Sequence, residues 1–179
     1  MKKTPFLLAI MLTSSLLVTA CNRGSSDNPA DSGGGTATGS GTMSATVDGQ
    51  SWTATSGTVF ATYSTNTLTV IGSQVQGTSA GTFNITINNV TGTGEFRLGF
   101  PGVGGAQGFA GYGIGTGAGS NAQAWVTTNT ETGTVNITRL DVPNKTVAGT
   151  FSFRCRNPNP NATPEIRNIT NGRFEARWQ

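Results

Sequence analysis

From Met43 onward, large apolar residues recur at every second position and hold helical spacing nowhere for more than a turn. Phe83, Ile85 and Ile87 alternate with Thr82, Asn84, Thr86 and Asn88. Phe96, Leu98 and Phe100 repeat the pattern, as do Val135 with Ile137, Phe151 with Phe153 and Cys155, and Phe174 with Ala176 and Trp178. Side chains leave a strand on opposite sides at successive residues, so this alternation demands half-buried strands with a dry face and a Thr-rich wet face. The alternating runs are 43–47, 51–55, 58–63, 67–73, 81–90, 94–100, 122–128, 133–140, 146–156 and 166–178. Between them lie the turn signals Asp48-Gly49, Thr65-Asn66, Gly92-Thr93-Gly94 and Pro143-Asn144-Lys145. The pattern predicts an all-β domain, an antiparallel β-sandwich or partly open barrel of about nine or ten strands.

One stretch departs from this pattern. Gly99 to Ser120 is dominated by glycine and reads as a loop, long enough to be functional or mobile. Its glycines match no phosphate-cradling motif, since no Gly-Lys-Ser/Thr follows and no amphipathic helix opens behind them. Phe109, Tyr112 and Ile114 are the large residues at its centre. They either pin the loop to the sheet or form a ligand-facing patch, which makes Phe109 and Tyr112 candidate ligand contacts.

The start of the chain speaks about location. Met1-Lys2-Lys3 precedes an apolar run that ends in Leu17-Val18-Thr19-Ala20-Cys21. A basic start, a short apolar stretch and small residues before a cut mark a secretory signal peptide. The run is too short and too polar for a good spanning helix, which needs about 20 mostly apolar residues. A cysteine directly after the small residues makes the pattern a lipobox, as in bacterial lipoproteins, whose cysteine is diacylated after the signal is removed. Residues 1–20 are therefore expected to be the signal and Cys21 the lipidated residue that holds the protein to a membrane. Residues 21–41, the lipidated Cys with its Gly/Ser-rich tether, span about 25 Å as a coil. Residues 42–179 are expected to be the folded domain. Asn22, rather than aspartate, follows the cysteine. By resemblance to the enterobacterial sorting rule, this favours the outer membrane of the bacterial cell envelope.

The remaining residues offer little for catalysis. The eleven basic side chains include Lys2 and Lys3, and without these two, nine face eight acidic ones, a balance with no attraction for nucleic acid. Histidine is absent, which removes the commonest general base and metal ligand together. Of the domain's acids, Glu95 and Glu175 fall on outward strand positions, whereas Asp48 and Asp141 fall in turns. Asp48 is expected to support its own turn. Cys155 alternates with Phe153 and reads as a buried small hydrophobe. No EF-hand loop is present, and neither metal nor cofactor is expected. Arg154 and Arg156 stand two apart on one strand face, where Arg173 and Arg177 could join them. Such a row is either a solvated outer face or a contact for acidic groups, so Arg154 and Arg156 are also candidate ligand contacts. Five Asn-X-Thr triplets, at Asn84, Asn89, Asn136, Asn161 and Asn168, fit Asn/Thr-rich outer faces better than glycosylation.

Ala-Thr-Val-Asp-Gly-Gln-Ser-Trp-Thr-Ala at 45–54 resembles the opening of a family of uncharacterised bacterial lipoprotein domains. The likeness returns in Gly-Thr-Val-Asn-Ile-Thr-Arg-Leu-Asp at 133–141, Val-Ala-Gly-Thr-Phe-Ser-Phe at 147–153 and Ile-Thr-Asn-Gly-Arg-Phe at 169–174. It implies a strand, an Asp-Gly turn and a Trp on the returning strand, and it implies no activity. The expectation is a membrane-anchored lipoprotein with a non-enzymatic binding or envelope-structural role. The alternative is a carbohydrate-binding module that uses Trp52, Trp125 or the Phe109–Tyr112 segment as stacking platforms. Its partners would be the membrane, through Cys21, and a glycan or envelope protein.

Overall fold

A computed structural model describes residues 41–116 and 122–178. The expected signal segment, Cys21 and the tether up to residue 40 lie outside the described residues, as does 117–121 of the glycine-rich stretch. The described chain is all-β and contains eleven strands. These are β1 (Thr42–Val47), β2 (Gln50–Thr53), β3 (Val59–Ser64), β4 (Thr67–Gln76), β5 (Ser79–Ile87) and β6 (Gly94–Leu98). After them come β7 (Gly108–Thr116), β8 (Gln123–Val126), β9 (Gly133–Asp141), β10 (Thr146–Arg156) and β11 (Ile166–Arg177). All belong to one sheet in the order β2-β1-β11-β10-β9-β6-β7-β5-β4-β3, and β8 pairs with both β7 and β10.

Two-residue turns set the register of the first hairpins. Asp48 and Gly49 both adopt positive φ, as do Thr65 and Asn66. This geometry follows the twist of paired strands, and Asn, Asp and Gly adopt it most easily. The turns pair Val47 with Gln50 and Ser64 with Thr67. Every following residue is thereby assigned to a face. Phe83, Ile85, Ile87, Val135, Ile137, Phe151, Phe153, Cys155, Phe174 and Ala176 all point into one buried core, as the alternation predicts. The sheet curls around that core until β3, at one end of the order, meets the residue that follows β11. Ala61 of β3 forms a parallel bridge to Trp178, whose ring lies 5.2 Å from that of Tyr63.

Phe100, read as inward on an alternating run, lies beyond the end of β6 and is 54% exposed, and two features of the sheet also differ from the sequence reading. The glycine-rich stretch is not one loop, because β7 occupies Gly108–Thr116 and supplies the eleventh strand. Its outward positions include Gly111, Gly113 and Gly115, and they carry no side chain whose polarity could reveal the alternation. The sheet is also mixed rather than purely antiparallel, since β6 meets β7 in parallel through Leu98 and Gly108.

Candidate functional site

The inner face of the sheet changes character along its length. At one end it is apolar, closed by Leu68, Val90 and Trp178. The other end is bounded by the β1–β2 and β4–β5 turns and by the loop between β10 and β11. Cross-strand partners share a face of a sheet, so register shows what lines this end. Val47 pairs with Gln50, Gly81 with both Gln74 and Ile114, Ile114 with Gln123, and Cys155 with Arg167. Here Gln50, Gln74, Ile114, Gln123 and Arg167 take the inner positions that Val, Phe and Ile hold deeper down, and none of them is fully buried. The end is a polar mouth above an aromatic floor.

The floor is a chain of rings. Trp52 meets Phe83 edge-on at 4.6 Å, Phe83 lies 4.7 Å from Tyr112, and Tyr112 stacks on Trp125 at 6.3 Å. The Arg167 guanidinium sits 4.6 Å over the Trp125 ring, a cation–π contact that favours its planar charge. Trp125 donates its indole N–H to the Pro164 carbonyl at 2.9 Å. Arg167 Nη1 donates to Asp48 Oδ2 at 2.7 Å, and the backbone N–H of Asn168 donates to Asp48 Oδ1 at 2.8 Å. Asp48 thus braces β11 across the sheet instead of bonding within its own turn. Burial raises the pKa of the Tyr112 hydroxyl, with nearby Arg167 pulling the other way. Burial likewise pushes the Cys155 thiol up to about 12, so it remains a neutral core group with Sγ 3.8 Å from the Arg167 carbonyl. Two donor atoms at this end have no hydrogen-bond partner among the described residues, Trp52 Nε1 and Arg167 Nε, and both are buried.

The four candidate contacts do not gather into one surface. Phe109 and Tyr112 are an odd number of residues apart on β7 and therefore lie on opposite faces. Phe109 is 38% exposed on the outer face, whereas Tyr112 is 7% exposed on the inner one. The expected Phe109–Tyr112 patch is thereby corrected: Tyr112 belongs to the ring chain. Arg154 and Arg156 are bound to the protein itself. Glu131, buried in the loop between β8 and β9, meets Arg154 Nε at 3.3 Å and Arg156 Nη2 at 3.0 Å, and Arg156 also pairs with Glu165. Arg173 and Arg177 pair with Thr150 and Thr146, at the far end of β10, and do not extend the row. Trp52 and Trp125 are core residues, 3% and 0% exposed, and offer no ring face to a sugar.

Glu131, like Glu165, is an acid that the alternation leaves unplaced. Its only signal is a carboxylate in a Thr-rich loop, and its partners on β10 become visible once β8 and β9 are both aligned on that strand. Elsewhere a shallow depression of about 500 Å³ crosses the outer side of β1, β10 and β11, lined by Ser44, Thr53, Thr150, Arg173 and Glu175 among others. Its Glu175 is already paired with Arg139 at 2.6 Å. Among the described residues no group of three potential metal-ligating side chains occurs.

No curated protein and no solved structure matches the chain. A family described as a domain of unknown function, DUF6252, matches residues 39–176, a span that opens just before β1 and closes within β11. Because that span takes in β1 to β10, all but the last residue of β11 and most of the chain, the protein belongs to the DUF6252 family.

Proposed function

We propose that this protein is a lipid-anchored component of the bacterial cell envelope, favouring the outer membrane, whose β domain binds or supports another envelope component without catalysing a reaction. The observation that carries this reading is the order of residues 1–42. A basic start and an apolar run lead to Cys21, a Gly/Ser-rich tether follows, and β1 begins at Thr42 where the tether ends. Five of the domain's six acids, all but Glu95, add support through what already engages them. Asp48 holds Arg167, Glu131 holds Arg154 and Arg156, Glu165 pairs with Arg156 and Glu175 with Arg139. Asp141 accepts two hydrogen bonds from Asn144, and these hold its carboxyl below the usual range. A carboxylate fixed in an ion pair or a turn is poorly placed to move protons for a substrate. The carbohydrate-binding alternative keeps only Phe109 of its stacking platforms, because Trp52, Trp125 and Tyr112 are buried whereas Phe109 is 38% exposed.

Substitution of Cys21 by Ala tests the anchor. Metabolic labelling with radioactive palmitate should mark the wild-type chain and leave the variant unlabelled. Fractionation should move the variant from membranes to the soluble fraction with its β-sheet circular dichroism intact. Palmitate incorporation into the Cys21→Ala chain would overturn the proposal.

A further inference from the structure

We propose that the polar mouth is a binding site for a small carboxylate-bearing molecule, received by Trp52 Nε1, Tyr112 Oη and the Arg167 guanidinium. Trp52 is 3% exposed, and its Nε1 finds no acceptor among the described residues. Buried donors are nearly always paired, so one left over calls for an acceptor supplied from elsewhere. Tyr112 Oη converges with Trp52 Nε1 beside Gly81. A Cβ at this position would lie 3.1 Å from Trp52 Nε1 and 2.9 Å from Tyr112 Oη, so both groups face one point that glycine leaves without a side chain. Arg167 adds a second unpartnered donor, its buried Nε, while Asp48 and the Trp125 ring hold the guanidinium in place.

The chemistry of the donors selects the ligand. Indole and guanidinium nitrogens only donate, so the ligand must present acceptor oxygens. A planar guanidinium matches a carboxylate through paired N–H bonds. The burial-raised pKa of Tyr112 keeps its hydroxyl protonated at neutral pH, ready to donate as well. Gln50, Gln74 and Gln123 at the rim can both donate and accept, which suits the polar remainder of a small molecule. This assignment rests on the binding role proposed above and specifies its ligand.

The test is a titration of the full lipidated chain, labelled with 15N-tryptophan, in non-ionic detergent. Sodium acetate and sodium citrate are the probes, with sodium chloride at matched ionic strength and maltose as controls. Acetate or citrate should move the Trp52 indole resonance saturably and leave that of Trp178, at the closed end, unchanged. Followed through the Trp125 resonance, Trp52→Phe should weaken binding about tenfold, as expected for one hydrogen bond to a charged group. Arg167→Gln should remove binding, and an unchanged Trp178 resonance certifies the fold of each variant. A Trp52 resonance unmoved by both carboxylates, moved equally by chloride, or moved by maltose alone would overturn the assignment. So would wild-type affinity in both variants. Palmitate labelling reports the anchor and the indole titration reports the ligand, so a failure of one is distinct from a failure of the other.

Discussion

Cys155 occupies a position on β10 that its neighbours on the same face fill with Phe151 and Phe153, and it is fully buried. Burial holds its thiol pKa near 12 against an ordinary value of 9.0. The folded state therefore keeps its proton where the unfolded chain has lost it. This contribution is unaffected below pH 9 and erodes as pH climbs from 9 toward 12, at roughly 1.4 kcal/mol per pH unit. Urea midpoints measured from pH 7 to pH 11 should fall more steeply above pH 9 in the wild-type chain than in Cys155→Ala. Equal slopes would show that the thiol is not buried in this way. Cys155 is legible in the sequence and Glu131 is not. Alternation with two phenylalanines signals burial from sequence neighbours alone. Nothing local marks Glu131, whose partners Arg154 and Arg156 arrive from another strand.

Strand β7 shows what happens when one face of an element carries no side chains. Residues such as Gly111, Gly113 and Gly115 erase the polar half of the alternation, and what remains resembles a loop. The glycines are not equivalent. A Cβ on Gly108 would collide with the Thr86 carbonyl oxygen and lie 2.9 Å from Ile87 Cα, while one on Gly115 would meet nothing within 4 Å. Gly108→Ala should therefore destabilise the domain by about 1–3 kcal/mol through overpacking. Gly115→Thr should be neutral or add about 0.5–1 kcal/mol, because a β-branched residue suits a strand and glycine does not. Guanidinium denaturation of the two variants checks the pair. Loss of stability on Gly115→Thr would mean that this part of the stretch does not sit in the sheet.

For the whole molecule, closure depends on β3, an end strand of the sheet, reaching the residue that follows β11. β3 and β11 lie far apart in the strand order and in sequence, yet Trp178 bridges Ala61 and packs against Tyr63. Replacing Trp178 by Ala removes a large buried ring and should cost about 3–5 kcal/mol. It should also free the outer edge of β3, so amide hydrogen exchange at Val59–Ser64 should accelerate more than at the centre of β10. Uniform acceleration across both strands would show that the ring supports global stability without closing the sheet. An unpaired β3 edge would in turn be a template for association, which gives the penultimate residue a second role.

The all-β class, most strand positions, the first two turns and the inward set of core residues were legible because each depends on neighbours one to four positions away. Period-two alternation and Asp-Gly chemistry are local properties, and sequence displays them directly. The mouth was not legible. Asp48 meets Arg167, Trp52 and Tyr112 face each other across Gly81, and Arg167 covers Trp125 only because strand register and sheet curvature bring distant segments onto one inner face. Alternation says that a residue points inward; it does not say what it will meet there, since that depends on the partner strand and on the sheet's closure. Tyr112 illustrates both halves. Its aromatic character marked it as a candidate contact, and the geometry of β7 places it instead as a buried ring at the floor of the mouth.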